Sequence, residues 1–321
     1  MTTLVSRVYA GPQDLQSILD LWSAVRPPAR STVYPAMVDL HELLALKEVQ
    51  DNTRLWHAAD GQVVGFAIVD RYLNLLFELA PQADGHKLES QMVGWGEVCV
   101  QRTFQGGVVS GSLDASCAGD DFERIALLER NGFLPQEIRT LHMMRPLDEP
   151  IAPPQLPEGF HIRPMAGEAE VAALVRLHRA AFGTRNMTVK ERLVMMHLPD
   201  YDAELDLVVT APDGRLAAYC MGAIHREENK RSGLKEGYTD PVAVHPDFQG
   251  RGLAKALLLT AMSRLKQRGM QTAVLGTSSE NLVMQRAAQS VGFFTRAKIL
   301  WFSRPVSAAP VSGPGKSLRH G

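Results

Sequence analysis

Apolar and polar positions alternate along the chain so that one order of elements occurs twice. Arg7-Val8 precedes a segment from Pro12 to Val25 whose apolar residues recur at helical spacing. A hairpin pattern follows, with Leu55 to Ala58, an Asp60-Gly61 turn and the β-rich run Val63 to Val69. In the second half, His161-Ile162-Arg163 precedes a helical segment from Gly167 to Phe182, and Leu207 to Thr210, Asp213-Gly214 and Leu216 to Ala223 repeat the hairpin. Phe122 to Asn131 with Gly132-Phe133 then matches Leu282 to Val291 with Gly292-Phe293, each a helix closed by glycine. Both halves finish on a strand ending Arg-Pro, at Arg145-Pro146 and Arg304-Pro305. Matched features lie about 155 to 160 residues apart, which reads as a tandem duplication of one α/β domain. Pro150, Pro153, Pro154 and Pro157 disfavour regular structure between the copies. The expected organisation is a domain at 1–149, a linker at 150–159, a second domain at 160–306 and a Ser-, Pro- and Gly-rich tail at 307–321.

Composition agrees with this division. A chain of 321 residues suits two domains of about 150 residues each, and 45% hydrophobic content is enough for two cores. With 34 Lys+Arg against 35 Asp+Glu, no global field draws the chain to nucleic acid or to an anionic membrane, so neither is an expected partner. An anionic ligand would have to be held locally. Cys99, Cys117 and Cys220 are odd in number and lack CxxC spacing, which fits buried thiols in a reducing, cytoplasmic setting. Met1 to Leu15 has no apolar core of a signal peptide, and no apolar run approaches the roughly 18 to 20 residues of a membrane span. His41-Glu42 lacks a second His at zinc-helix spacing, and no Gly-x-Ser-x-Gly elbow occurs, so neither metal nor serine-nucleophile chemistry is expected. Gly315-Lys316-Ser317 is preceded by Pro310 where a phosphate loop needs its first glycine.

One segment concentrates chemical potential. Val242 and Val244 alternate at strand period, Pro246 ends that strand, and Leu253, Leu257, Leu258, Ala261 and Leu265 recur at helical spacing. At the join, Gln249, Gly250 and Gly252 bring backbone N–H groups to a helix N-terminus, where orphan donors and the positive dipole end favour an anion. Arg251 and Lys255 add positive charge there. A lone glycine pair would read more simply as a turn before an amphipathic helix.

The run Val242-x-Val244-x-Pro246-x-x-Gln249-x-x-Gly252-x-Ala254 resembles the acyl-CoA-binding motif of the GCN5-related N-acetyltransferase (GNAT) superfamily. Asn281, followed by Gly292-Phe293, is similar to the family's Asn…Gly-Phe helix. The motifs cover about 237–294, and weaker similarity extends over about 160–306. The resemblance implies an α/β fold of two tandem GNAT-like domains, each a central mixed β-sheet flanked by helices. It implies acetyl-CoA as cosubstrate, no metal, and direct transfer to the primary amine of a small molecule without an acyl-enzyme. The pyrophosphate would lie on the N–H groups of Gln249, Gly250, Arg251, Gly252, Leu253 and Ala254, with Lys255 beside them. Pantetheine would run along Val242, Ala243 and Val244, where two parallel strands splay. The Val244 N–H would polarise the thioester carbonyl. Asn281 would bind pantetheine, hold the splay, or cap the helix beginning at Leu282.

For the general base the candidates are Glu236, Tyr238, Asp240 and His245. Tyr238 stands where some relatives carry a catalytic glutamate, but a phenol is a poor base at neutral pH. Asp240, on the same strand face by period two, is favoured. Ala288 occupies the place of the tyrosine that protonates the leaving thiolate in many relatives, which leaves that proton to solvent. The first half departs further. Leu75, Phe77, Leu79 and Pro81 resemble the strand, but Gln82-Ala83-Asp84-Gly85 is a shorter loop with a carboxylate where pyrophosphate would lie, and Asp121 replaces the asparagine. The first half is expected to keep the fold without binding acyl-CoA and to form one wall of the substrate cleft or a stable interface. A protein or peptide acetyltransferase and a non-catalytic acyl-CoA sensor are the alternatives. Asp200, Asp202, Glu204 and Asp206 point to a cationic amine or to a solvated loop. The oligomeric state is open, and a homodimer is compatible with the sequence.

Overall fold

The computed structural model describes residues 4–30, 35–81, 85–104, 110–185 and 187–307. The loop at 82–84 and the tail from 308, with Gly315-Lys316-Ser317, lie outside the described residues. The first half forms β1 (Val5–Val8), α1 (Pro12–Val25), α2 (Met37–Leu44), α3 (Lys47–Asp51), β2 (Thr53–His57), β3 (Val63–Val69), β4 (Leu75–Leu79), α4 (Gly85–Arg102), β5 (Ser110–Ala118), α5 (Phe122–Arg130) and β6 (Leu134–Pro146). The second forms β7 (His161–Pro164), α6 (Val171–Phe182), α7 (Val189–Met196), β8 (Asp206–Thr210), β9 (Leu216–Met221), α8 (Arg226–Ser232), β10 (Glu236–Tyr238), β11 (Val242–Val244), α9 (Leu253–Gln267), β12 (Thr272–Ser278), α10 (Leu282–Gln289) and β13 (Phe294–Ser307). Both hairpins turn at the Asp-Gly pairs. Gly61 and Gly214 adopt φ of +87° and +82°, which glycine reaches without a Cβ clash.

One four-stranded sheet has the order β1-β2-β3-β4, and a second has the order β11-β9-β8-β7. A third, of order β10-β12-β6-β13-β5, takes strands from both halves. The last strand of each half is exchanged. β6 pairs antiparallel with β12 and with β13, while β13 pairs antiparallel with β5. The cores follow this exchange. Phe302 and Val306 of β13 are buried with Trp22, Leu55 and Phe66 of the first half, and Leu141 and Met143 of β6 are buried with Met262, Leu265 and Leu275 of the second. Within 150–159 no regular element forms, yet Ile151 and Leu156 pack against the cores of the second half. The three cysteines are free and buried. Among the described residues no helix is long and apolar enough to cross a membrane.

Phe302→Ala removes an aromatic ring, 1% exposed, that the second half contributes to the core of the first. It should lower stability by about 3 to 5 kcal/mol, with both halves unfolding in one urea transition. A loss under about 1 kcal/mol, or two separate transitions, would contradict a core built by strand exchange.

Candidate active site

The site begins where two parallel strands part. β10 pairs with β12 from Glu236↔Thr272 to Tyr238↔Val274, and the Thr239 N–H still donates to the Val274 carbonyl at 2.9 Å. The next residues, Asp240 and Pro241, are joined by a cis peptide bond, and β11 pairs antiparallel with β9 instead. The single strand expected to carry Tyr238, Asp240 and Val244 is therefore two strands in two sheets, because Pro241 has no N–H with which to continue a ladder. Tyr238 and Asp240 nevertheless line one cavity. Met221 N–H donates to the Pro241 carbonyl at 3.1 Å and His245 N–H to the Ala217 carbonyl at 2.8 Å. The odd-numbered residues thus face β9. By strand alternation the N–H and C=O groups of Val242 and Val244 project from the free edge of β11, and Ala243 is buried between sheet and helix.

Beyond this edge, a 3-10 turn at Pro246–Phe248 is capped by His245, whose Nδ1 accepts from the Asp247 N–H at 3.2 Å. His245 is occupied in the turn. Gly250 and Gly252 adopt φ of +74° and +79°, and a Cβ added to either would meet nothing within 4 Å. Gly252 heads α9 without a side-chain cap. Among the described residues, the N–H groups from Gly250 to Ala254 have no backbone acceptor. Leu253 is buried and anchors the helix, whereas Lys255 is exposed. The exposed Arg251 lies over the rings of Phe160 and Phe248, at 5.9 and 6.0 Å. Unpaired donors, open space and two cations fit a pyrophosphate. Asn281 Oδ1 accepts from the Met284 N–H at 3.0 Å, so the asparagine caps α10. Ala288 is fully buried in the same helix and offers no proton.

A cavity of about 670 Å³ adjoins the gap. Asp240, Pro241, Val274 and Gly276 from its two sides line this cavity, and Asp39, Glu42, His142 and Trp301 close it from elsewhere in the fold. Burial, and then the Asp39 charge, push the Asp240 carboxyl up to about 7 against the pull of the Gly276 N–H. Its Oδ1 and the Tyr238 hydroxyl are buried without a hydrogen-bond partner. Burial and the carboxylates of Glu236 and Asp240 raise the Tyr238 phenol well above its ordinary value, so it stays protonated. Its ring stacks on His225 at 4.2 Å. Glu236 is ion-paired with Arg296. Nothing local in the sequence marks Asp39 or Glu42, which reach the cavity only through the packing of the two halves. Of the four acidic residues noted at 200–206, three are committed elsewhere. Asp202 pairs with Arg268 at 2.7 Å, Glu204 with Arg264 at 3.1 Å, and Asp206 is buried against Arg192 and the Tyr201 hydroxyl.

The first half has a gap at the matching place. Asp114 N–H donates to the Leu73 carbonyl at 3.0 Å, after which β4 and β5 diverge around a cavity of about 430 Å³. Here Arg124 spans the opening. It donates to the Phe77 carbonyl at 3.2 Å and to Glu78, which Arg26 also holds at 2.7 Å. Counting back from Pro81 and Pro246, Phe77 stands where Val242 stands in the second half. Asp121 caps α5 through the Arg124 N–H, just as Asn281 caps α10.

The family described as Acetyltransferase (GNAT) family matches residues 171–293, which contain the gap, the glycine turn and α9. A mycothiol acetyltransferase of Saccharomonospora viridis is 27% identical over 147 residues, 44% of this chain and 48% of that protein. The chain thus spans about half the length of the first curated relatives it matches. A mycothiol acetyltransferase of Nocardiopsis dassonvillei is 26% identical over 321 residues, covering 88% of this chain and 92% of that protein. A solved tandem GNAT protein from the clavulanic acid biosynthesis pathway superposes with a TM-score of 0.69 at 15% identity, over 97% of this chain and 99% of that one. Motif and family match coincide on the second half, where residues 171–293 match the GNAT family, and the whole chain has the fold of a tandem GNAT protein.

Proposed function

We propose that the protein is an acyltransferase that moves the acetyl group of acetyl-CoA to the primary amine of a small molecule. The carrying observation is the continuity of one path, from the open N–H cradle of α9, along the free edge of β11, to the unpartnered Oδ1 of Asp240 in the cavity. The cosubstrate supplies an activated acyl group; the chain orients it and removes a proton. In this reading an ammonium gives its proton to Asp240, the freed amine attacks the thioester carbon, an N–C bond forms as the C–S bond breaks, and the nitrogen's surplus proton passes to water. The Val244 N–H supports the charge developing on the carbonyl oxygen, Tyr238 acts as a hydrogen-bond donor, and the departing thiolate takes its proton from water. A concave cavity lined by both halves favours a small acceptor over a protein surface, and the relatives named mycothiol acetyltransferases agree with such a substrate class.

The first half is read as a non-binding copy, because Arg124 bonds the strand edge that pantetheine would need. Calorimetry with acetyl-CoA should give one site per chain; two sites of similar affinity would refute this assignment.

Two further outcomes test the active half. Gly252→Glu puts a carboxylate into the anion cradle and should abolish acetyl-CoA binding by calorimetry, while Gly252→Asn, which tolerates positive φ, controls for backbone strain. Full binding by the glutamate variant would remove the site. With Asp240 as the base, kcat/KM should fall about tenfold per pH unit below about pH 7 and level off above it, since only the carboxylate accepts a proton. Asp240→Asn should lower kcat by about 10² to 10⁴ in a CoA-release assay; unchanged kcat would exclude it as the base.

A further inference from the structure

The cavity beside Asp240 holds more carboxyl groups than one transfer step needs. Asp39 and Glu42 lie one helical turn apart on α2, a helix of the first half, and both line the cavity that Asp240 enters from the second. Asp39 accepts only the Ala36 N–H, at 2.7 Å, and Glu42 has no hydrogen bond or ion pair among the described residues. The neighbouring guanidiniums each hold another carboxylate, although Nε and Nη1 of Arg192 are left without a partner. Arg71 is paired with Glu191, Arg26 with Glu78, and Arg192 with Asp206. The remaining acid at the cavity wall, Asp70, is satisfied by the N–H groups of Tyr72 and Asn74.

A second observation points to a missing ligand rather than to an idle acidic face. His142 Nε2, His225 Nδ1, the Tyr238 hydroxyl and Asp240 Oδ1 all belong to residues lining this cavity, and all are buried without a partner. Native interiors rarely leave such atoms unpaired. Burial, with the Glu228 charge, raises the Asp39 carboxyl to about 6, and burial, with the Asp39 charge, raises that of Glu42 to about 8, while burial lowers His142 and His225 to about 4. The histidines are therefore neutral at pH 7 and do not balance the acids. The cavity volume of about 670 Å³ suits a small flexible molecule.

We propose that the acceptor is a diamine or polyamine. Asp240 receives the reacting amino group, and Asp39 and Glu42 of the first half hold a second protonated one. This rests on the acyltransferase reading, and it gives the first half a role in choosing the substrate.

The test compares 1,6-diaminohexane, spermidine and hexylamine in a CoA-release assay with the full chain. The diamine and spermidine should exceed hexylamine in kcat/KM by about tenfold or more. Asp39→Asn and Glu42→Gln should each raise KM for the two polycations about tenfold, and Glu42→Gln should leave kcat and the hexylamine KM within about threefold. Glu42→Gln breaks no internal bond, so it serves if Asp39→Asn fails to fold. Equal use of hexylamine, or a Glu42→Gln variant that impairs all three amines alike, would overturn the proposal. Should no amine release CoA, the acyltransferase reading fails on its own, and calorimetry on CoA-loaded protein decides this inference. Spermidine binding about tenfold tighter than hexylamine, weakened by Glu42→Gln, supports it; equal binding refutes it.

Discussion

The antiparallel pairing of β6 with β13 joins the last strands of the two halves, and most of what matters in this molecule is positioned by it. Each strand sits in the sheet that the other half begins, so neither core closes without the opposite end of the chain. The same pair supplies a wall of the cavity. Thr140 and His142 come from β6, Ile299 and Trp301 from β13, and the Trp301 Nε1–H donates to the Thr140 hydroxyl at 2.9 Å across the pair. With that wall fixed, α2 of the first half and β10 of the second face a common space.

Much of the individual elements was legible in the sequence. Pro12 to Val25 forms a helix with those bounds, the Asp-Gly pairs make both hairpins, and the glycine turn heads α9 as its spacing suggested. Local rules sufficed because turn chemistry, helical period and capping act over a few residues. The break between β10 and β11 has a local signature as well, since Pro241 has no N–H with which to continue a ladder. The exchange of β6 and β13 was not legible. Period two fixes which face of a strand is buried but not which strand it joins, and both candidate neighbours offer the same antiparallel edge. Asp39 and Glu42 were missed for a related reason, since an acidic amphipathic helix reads as solvated until another half of the molecule covers it.

The two gaps show how a shared geometry is turned to different ends by charge. In the first half, Glu78 lies between Arg26 and Arg124, and their attraction holds its carboxyl below its ordinary range despite complete burial. That site is neutralised from within, and its strand edge is bonded by one of the neutralising arginines. In the second half the glycine turn brings donors without acceptors, and the adjoining cavity brings the carboxyls of Asp39, Glu42 and Asp240, which form no ion pair among the described residues. An anion on one side and a cation on the other would each find compensation that the chain does not supply itself.

Asymmetry of this kind has an energetic logic. A carboxylate buried with a permanent cation is already satisfied and gains little from a ligand, whereas one buried alone shifts toward its protonated form and regains its charge when a cation arrives. Asp240, at about 7, lies close enough to neutrality to make that change at small cost. Glu42, at about 8, leans further toward the acid form, and repulsion from Asp39 contributes to this. A ligand bearing one charge would relieve a single carboxylate and leave the others repelling each other. A ligand with two spaced charges would relieve both ends of the cavity at once, so the proposed substrate class follows from the same burial and repulsion that raise these groups.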